Sequence, residues 1–434
     1  MQVPSEGRFH VVSSHPEILL ISSVLRDQDM PVAFKMGVSA SQFHACPDEW
    51  SWLERYYMKH KKTPSKVAFK TQFPEFSVKA VNDTAHFAVQ VREAHAQQAL
   101  TTALRDSAGF IASGDLEAAL KSVQSKIVSI SAGMGDGNDD DIITGWEDTY
   151  DEVDRRVARV SQYGMAGIPT GFTTLDDRTG GPQPGQSWIV GARLGHGKSW
   201  GMMRMATAAI MGGYTVQYNA LEQTRTEVAM RMHSFLSGAV GKQIFNNMDL
   251  AQGKGFDVGE YREFLYGLKD TIKGKMHVSD TSRGMVSPLT IAAQIERNQP
   301  DIVFIDYLTL MQGAKDWQAI GEISGAIKNL AQQYQIPIVS ASQLNRSAGI
   351  GGKDIPGAEA LSQADAVGQD ADAIVNMRMM SSSTIQMKLV KYRHGNSGFK
   401  WWCHYEPGKG IFNECSYDQA LALKDIDDAA DDDD

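Results

Sequence analysis

A chain of 434 residues is about three times the usual domain length, so two or three domains are expected. Hydrophobic residues make up 42% and charged residues 22%, and no apolar run approaches the ~20 residues of a membrane span; membrane, secreted and globally disordered classes are excluded. The net charge of −10 is concentrated in seven aspartates from Asp425 to Asp434 and four in Asp136–Asp141; without those eleven the chain carries +1, which leaves room for a local basic surface facing nucleic acid.

The N-terminal MQVPSEGRFH lacks the basic, apolar and small-residue succession of a secretory leader. Three cysteines (Cys46, Cys403, Cys415) make no disulfide framework, and with His404 they lack zinc spacing, so a reducing cytoplasm is expected. Residues 1–132 read as a helical domain. Leu116, Leu120, Val123, Ile127 and Ile130 share one helix face, and shorter stripes occur at Leu53, Tyr56, Tyr57 and His60 and at Leu100, Ala103 and Leu104. Such stripes are read as core or partner-helix packing. The longest apolar stretch, Ile18–Leu25, is interrupted by Ser22 and Ser23.

Residues 133–166 read as a linker. Its first part, Gly133–Asp141, is rich in Gly and Asp and should be flexible. Asp136, Asn138, Asp140 and Glu147 have the spacing of a calcium loop, but Asp141 stands where that loop needs Gly, so a solvated linker is expected. A helix follows with Tyr150, Val153, Val157 and Val160 on one face; an isolated stripe of this kind needs something to cover it, and a neighbouring subunit is the natural candidate.

From about residue 167 to 420 strands alternate with helices. SWIVGA, TVQYNA, DIVFID and IPIVSAS are short buried-strand runs, and Ser287-Pro288 and the Ile323, Ile327, Leu330, Tyr334 stripe mark helices between them. The fold class is α/β, a mainly parallel sheet with helices on both faces, behind a small all-α N-terminal domain and a linker helix. DAIVNMR, TIQMKLVKYR and KWWCHYEP follow with little helix between them, so the sheet should end in antiparallel hairpins. The aspartate-rich end, 421–434, is expected to be a disordered tail.

Gly191–Ser199 reads GARLGHGKS between a strand and a helix, the context of a phosphate-binding loop. Gly195 and Gly197, on either side of His196, allow backbone N–H groups to turn around phosphate oxygens. Lys198 would reach the β- and γ-phosphates, and Ser199 would offer its hydroxyl to Mg²⁺. The strict pattern has Gly where Ala192 stands. Asp306 ends a buried strand and is placed to hold the Mg²⁺; Glu222, ending TVQYNAL, is a candidate base or positioning group for attacking water. Gln343, just past IPIVSAS, could sense the γ-phosphate.

GIPTGFTTLDDRTGG, PGQSWIVGARLGHGKS, ALEQTRTEVAMR, DIVFIDYLTLM, SASQLNRS, QDADAI and KYRHGNSG occur in that order, and together they resemble the five motifs of the DnaB-type replicative DNA helicases of bacteria and phages. The resemblance implies a RecA-like motor domain in a ring-shaped homohexamer. It further implies 5′ to 3′ movement on single-stranded DNA, powered by ATP or another NTP with Mg²⁺, and partners that include a primase and a helicase loader. Glu222 would be the catalytic carboxylate. Lys391 and Arg393, in a K-x-R-x-G pattern with Gly395, would reach the nucleotide of the adjacent subunit, and Arg231 would lie near the phosphates. DNA would meet loops near Gly313–Ile320 and Asn345–Ser362, offering Lys315, Arg346 and Lys353. Ser362 and Gln363 replace the family's usual Arg-Glu pair, which leaves backbone amides as donors there. The alternatives are a filament-forming strand-exchange ATPase of the RecA type and a non-catalytic DNA-binding scaffold with a relic nucleotide site.

Overall fold

The computed structural model describes residues 15–115, 118–119, 122–123, 126, 143, 145–240, 243–344, 355–357 and 365–431. It divides into two compact units, Met1–Trp146 and Glu147–Asp434.

The first unit is helical in its described residues: α1 (Pro16–Asp27), α2 (Met30–Lys35), α3 (Pro47–His60), α4 (Lys66–Gln72) and α5 (Thr84–Ala112). Local chemistry sets the starts. Pro16 and Pro47 occupy first-turn positions, and the Asp29, Ser65 and Asp83 side chains accept from the backbone N–H groups of Val32, Ala68 and His86. Leu20, Ile21, Val24, Trp50, Leu53, Phe69, Ala88 and Val91 form the core. Ser22 and Ser23, which break the apolar run in sequence, are both buried: Ser22 Oγ accepts from Lys79 N at 3.0 Å, and Ser23 Oγ donates to Asp27 Oδ2 at 2.9 Å. The stripe on α3 buries Leu53 and leaves His60 exposed, whereas Leu100 and Leu104 on α5 stay exposed beside buried Ala103. Of the 116–130 stripe only Val123 is described; Leu116, Leu120, Ile127 and Ile130, and the calcium-like Asp136, Asn138 and Asp140, lie outside the described residues.

The second unit opens with the expected linker helix, α6 (Glu147–Tyr163). Glu152 gathers Arg155, Arg156 and Arg159 on one side, and Tyr150, Val153, Val157 and Val160 are 47–60% exposed on another. After α7 (Thr173–Thr179) come β1 (Ser187–Ala192), α8 (Lys198–Met211), β2 (Thr215–Ala220), α9 (Arg225–Val240), α10 (Asn247–Gln252), α11 (Val258–Thr271) and β3 (Lys275–Asp280). Then follow α12 (Pro288–Asn298), β4 (Ile302–Asp306), α13 (Trp317–Tyr334), β5 (Ile338–Gln343), α14 (Asp365–Asp370), β6 (Ala373–Ser381), β7 (Thr384–Tyr392), β8 (Lys400–Glu406), β9 (Ile411–Cys415) and α15 (Tyr417–Asp431).

The strands form one nine-stranded sheet in the order β3-β2-β4-β5-β1-β6-β7-β8-β9, parallel from β3 to β6 and antiparallel beyond. Both faces are covered because alternate residues of each central strand belong to different cores. Trp188, Val190, Phe304 and Val339 pack on one face with α8, and Ile189, Val303, Ile305 and Ile338 on the other with α12 and α13. Each such side chain contributes about 1.5–3 kcal/mol on burial. Two strands were not visible in the sequence pattern. β3 (KMHVSD) is a partly exposed edge strand and β9 (IFNEC) is short, so neither carries a continuous apolar run. Among the described residues no helix is long and apolar enough to cross a membrane.

The aspartate-rich end departs from the expected disorder. As far as Asp431 it is helical, and it is fastened to the β6–β7 turn: Asp427 Oδ2 accepts from the Ser383 N–H at 2.8 Å and from Ser383 Oγ at 2.7 Å, while Ala420 is fully buried. Burial works to raise the Asp427 pKa, but hydrogen bonds from the serines of the turn outweigh it and hold the carboxyl below its usual range. A folded-state pKa below the unfolded one gives stability that is present at neutral pH and lost as pH falls through the lowered value. Asp427→Ala is therefore expected to free α15, detected as several-fold faster proteolytic trimming after residue 416 at neutral pH; unchanged trimming would show that the contact does not hold the helix.

Candidate functional site

The C-terminal ends of the parallel strands lie along one edge of the sheet, where ligands bind in open α/β sheets. At that edge β1 ends at Ala192 and α8 begins at Lys198, with Gly195 and Gly197 both at φ +79° between them. Ala192, the departure from the strict pattern, is fully buried and still part of β1, so no left-handed backbone is demanded there. At Gly197 a Cβ would meet left-handed strain and also sit 2.9 Å from Ile385 Cδ1. Gly197→Ala is expected to cost about 1–2 kcal/mol from backbone strain alone and to weaken nucleotide binding, read by thermal unfolding and nucleotide titration; a variant with native stability and affinity would show that the loop does not need this turn.

His196 Nδ1 accepts from Met379 N–H at 3.3 Å, which ties the loop to β6. Burial, followed by the charges of Arg193 and Arg378, pushes its pKa down, and because Nδ1 accepts, the neutral ring carries its proton on Nε2. The Lys198 ammonium lies 3.6 Å from the centroid of the Tyr307 ring. Burial lowers its pKa, opposed by the charges of Asp306 and Glu222, and the same two carboxylates act on Tyr307. Lys198, Asp306, Glu222 and Tyr307 thus converge at one place. Ser199 follows Lys198 in the first turn of α8.

Asp306 is 2% exposed. Its Oδ2 accepts from Tyr218 Oη at 3.1 Å, while Oδ1 has no partner among the described residues. A buried carboxylate oxygen without a donor is costly, and a divalent cation is the group whose arrival would satisfy it. The residues present therefore fit Mg²⁺. Ala220 pairs with Asp306 across β2 and β4, which places Glu222, exposed two residues beyond β2, on the neighbouring strand end. Gln343 closes β5 directly beside Ala192. Arg231, on α9, stacks its guanidinium 4.7 Å from the ring centroid of Trp200, the residue after Ser199. These sequence candidates come together.

Lys391 and Arg393 do not join them. β7 runs antiparallel to β6, so its last residues return to the start of β1: Arg393 N–H donates to Asp372 O at 2.7 Å, and Asp372 N–H donates to Ser187 O at 2.7 Å. From Ser187 to Ala192 the strand climbs about 16 Å, farther than an arginine side chain extends. Lys391 Nζ donates to Gly368 O at 2.7 Å and Gln369 O at 2.9 Å; burial, then the charge of Arg393, lowers its pKa. One copy of the chain therefore keeps the phosphate loop and this cation pair at opposite ends of its sheet.

Of the DNA-loop candidates, Lys315 is exposed on the segment leading into α13, while Arg346, Lys353, Ser362 and Gln363 lie outside the described residues. Sequence reasoning missed Tyr307, Tyr218 and Trp200. Tyr307 and Trp200 adjoin Asp306 and Ser199, which was the only signal available; nothing in the chain order linked Tyr218 to Asp306.

A parallel sheet whose strand ends gather a glycine-turned loop, a lysine and a half-satisfied buried carboxylate defines a phosphate-loop α/β domain. The chain belongs to the DnaB-like helicase C-terminal domain family, whose model matches residues 167–405. It is 28% identical over 293 residues to a replicative DNA helicase DnaB of Leifsonia xyli subsp. xyli, covering 63% of this chain and 60% of that protein. It is 31% identical over 218 residues to a replicative DNA helicase DnaB of Helicobacter pylori, covering 49% of this chain and 43% of that protein. The chain thus spans about half the length of the relatives it matches. Its fold is similar, with a TM-score of 0.60 and 18% identity over 92% of this chain and 98% of the other, to a DnaB-like replicative helicase whose structure was described with its interactions with primase.

Proposed function

We propose that this protein is a replicative DNA helicase, a ring homohexamer that hydrolyses ATP or another NTP to move 5′ to 3′ along single-stranded DNA and part the duplex at a fork. The observation that carries the reading is the separation of two half-sites. Lys198, Asp306 and Glu222 occupy one end of the sheet and Lys391 and Arg393 the other. A ring in which each subunit presents its cation pair to its neighbour's phosphate loop completes every site, and only assembly does so.

In this mechanism Gly195 to Ser199 and the N-terminus of α8 bind the phosphates, and Lys198 leaves the Tyr307 ring for the β- and γ-phosphates. Ser199 and Asp306 would hold Mg²⁺, which when bound neutralises charge on the phosphates. Glu222 accepts the proton of the attacking water, and Gln343 reads the γ-phosphate from the adjoining strand end. Arg393 and Lys391 of a neighbouring copy offset charge that develops in the transition state. Lys315, with Arg346 and Lys353, tracks DNA phosphates in the channel without reading bases. A primase and a loader are the expected partners, in the cytoplasm of a bacterium or phage-infected cell.

The test is fork unwinding with 5′- and 3′-tailed substrates, with particle images of the same sample. Unwinding of the 5′-tailed fork by six-membered rings is expected. Open filaments on DNA would instead favour a strand-exchange ATPase, and absence of DNA-stimulated hydrolysis would favour a scaffold.

A further inference from the structure

We infer that Asp372 is a positioning residue for Arg393, and that Lys328 is the counter-charge that lets Asp372 orient the guanidinium without neutralising it. This rests on the reading that Arg393 acts on a neighbouring copy's nucleotide. Asp372 is only 2% exposed, immediately before β6, and three donors from the described residues meet its carboxylate. Oδ2 accepts from the Ser187 N–H at 2.8 Å and from Lys328 Nζ at 2.5 Å, and Oδ1 lies 3.1 Å from Arg393 Nη1.

The three partners differ in what they supply. Lys328 comes from the body of α13, is 13% exposed in its side chain, and is anchored a second time on Gly185 O at 3.0 Å, so it is a fixed, nearly buried cation. A buried carboxylate takes its compensating charge from the closest desolvated cation, which here is Lys328. Arg393 is 47% exposed in its side chain and meets the carboxylate through one nitrogen, at a longer distance, with Nη2 resting on Gln369 O at 3.3 Å. The trio carries one net positive charge, and that charge lies on the solvent-facing member. Arg393 and Lys328 both line a cavity of about 480 Å³ with Arg156 and His394, and Asp372 is the sole carboxylate in its wall among the described residues. Its contents should therefore be anionic, as the triphosphate of an adjacent subunit is.

The experiment uses full-length protein and three variants that are each expected to hydrolyse ATP poorly alone: D372N, K328M and, as reference, R393A. D372N keeps the shape of the side chain and an oxygen for the Ser187 N–H. K328M leaves Asp372 with Arg393 as its only cation among the described residues, so the finger is neutralised. Both are expected to lose at least tenfold in kcat with the nucleotide KM within about twofold. Each is then co-assembled with K198A, whose own site is dead but whose Arg393 is intact. A positioning defect lies in the finger a subunit offers, not in the site it owns, so activity should recover several-fold over either variant alone, as it should for R393A with K198A. Recovery with R393A but not with D372N or K328M would overturn the role of Asp372 and Lys328. Wild-type turnover by K328M alone would overturn the counter-charge role as well. Failure of R393A itself to recover would instead remove the trans reading beneath the inference.

Discussion

Arg393→Ala is expected to lower the turnover number for nucleotide hydrolysis about a thousandfold, ~4 kcal/mol of transition-state stabilisation, while nucleotide affinity stays within about twofold. The position of the residue supports the asymmetry. Arg393 is joined through Asp372 to the beginning of β1, whereas the phosphate loop leaves its end, so the side chain has no contact with its own copy's nucleotide site to lose. Its half-exposed guanidinium rests on Asp372 and Gln369 of its own subunit and is expected to act on the nucleotide of a neighbouring copy. A cation that meets charge developing in the transition state affects kcat far more than ground-state binding. Steady-state hydrolysis with single-stranded DNA and titration with a fluorescent nucleotide separate the two quantities. Normal hydrolysis by the variant would disprove the finger role, and so would a purified single copy that turns over nucleotide as fast as the assembled form.

Glu222→Gln should have a comparably large effect, a loss of about 10²–10⁴ in hydrolysis with nucleotide binding preserved or tightened. Glu222 is exposed on the strand end beside Asp306, and its charge acts on both Lys198 and Tyr307, so it faces the phosphate-binding groups without being fastened in the core. Glutamine keeps the size and removes the proton acceptor. It also removes one of the two negative charges beside Lys198, which should make an anionic ligand more welcome. Rapid-quench hydrolysis alongside binding distinguishes this from Lys198→Ala, for which both binding and hydrolysis should fall. Retention of full hydrolysis by Glu222→Gln would assign the base elsewhere.

Much of the site could be read from the chain because its chemistry is local. The loop from Gly191 to Ser199 needs a strand before it, a helix after it and glycines between, and all three are contiguous in sequence. Ser287 followed by Pro288 marked the first residue of α12 for the same reason: an N-cap and a first-turn proline act within one helical turn. Ser22 and Ser23 interrupt the apolar run yet are buried, and Lys79, whose backbone N–H donates to Ser22, is 57 residues away, a pairing that only folding reveals. α15 was hidden by composition. Its aspartates suggest repulsion and solvation, yet one of them finds a serine turn more than forty residues away in the sequence.

The sequence by itself determined the alternation of buried strands and helices, the phosphate loop and the identity of the carboxylates at the strand ends, since hydrophobic periodicity and turn chemistry operate over a few residues. Only the tertiary structure decided which ends of the sheet those residues share. β7 runs antiparallel after β6, and this reversal carries Arg393 away from Lys198 and onto Asp372. Strand direction and order are set by long-range pairing and by the burial of both sheet faces, information spread over some two hundred residues and present in no single motif.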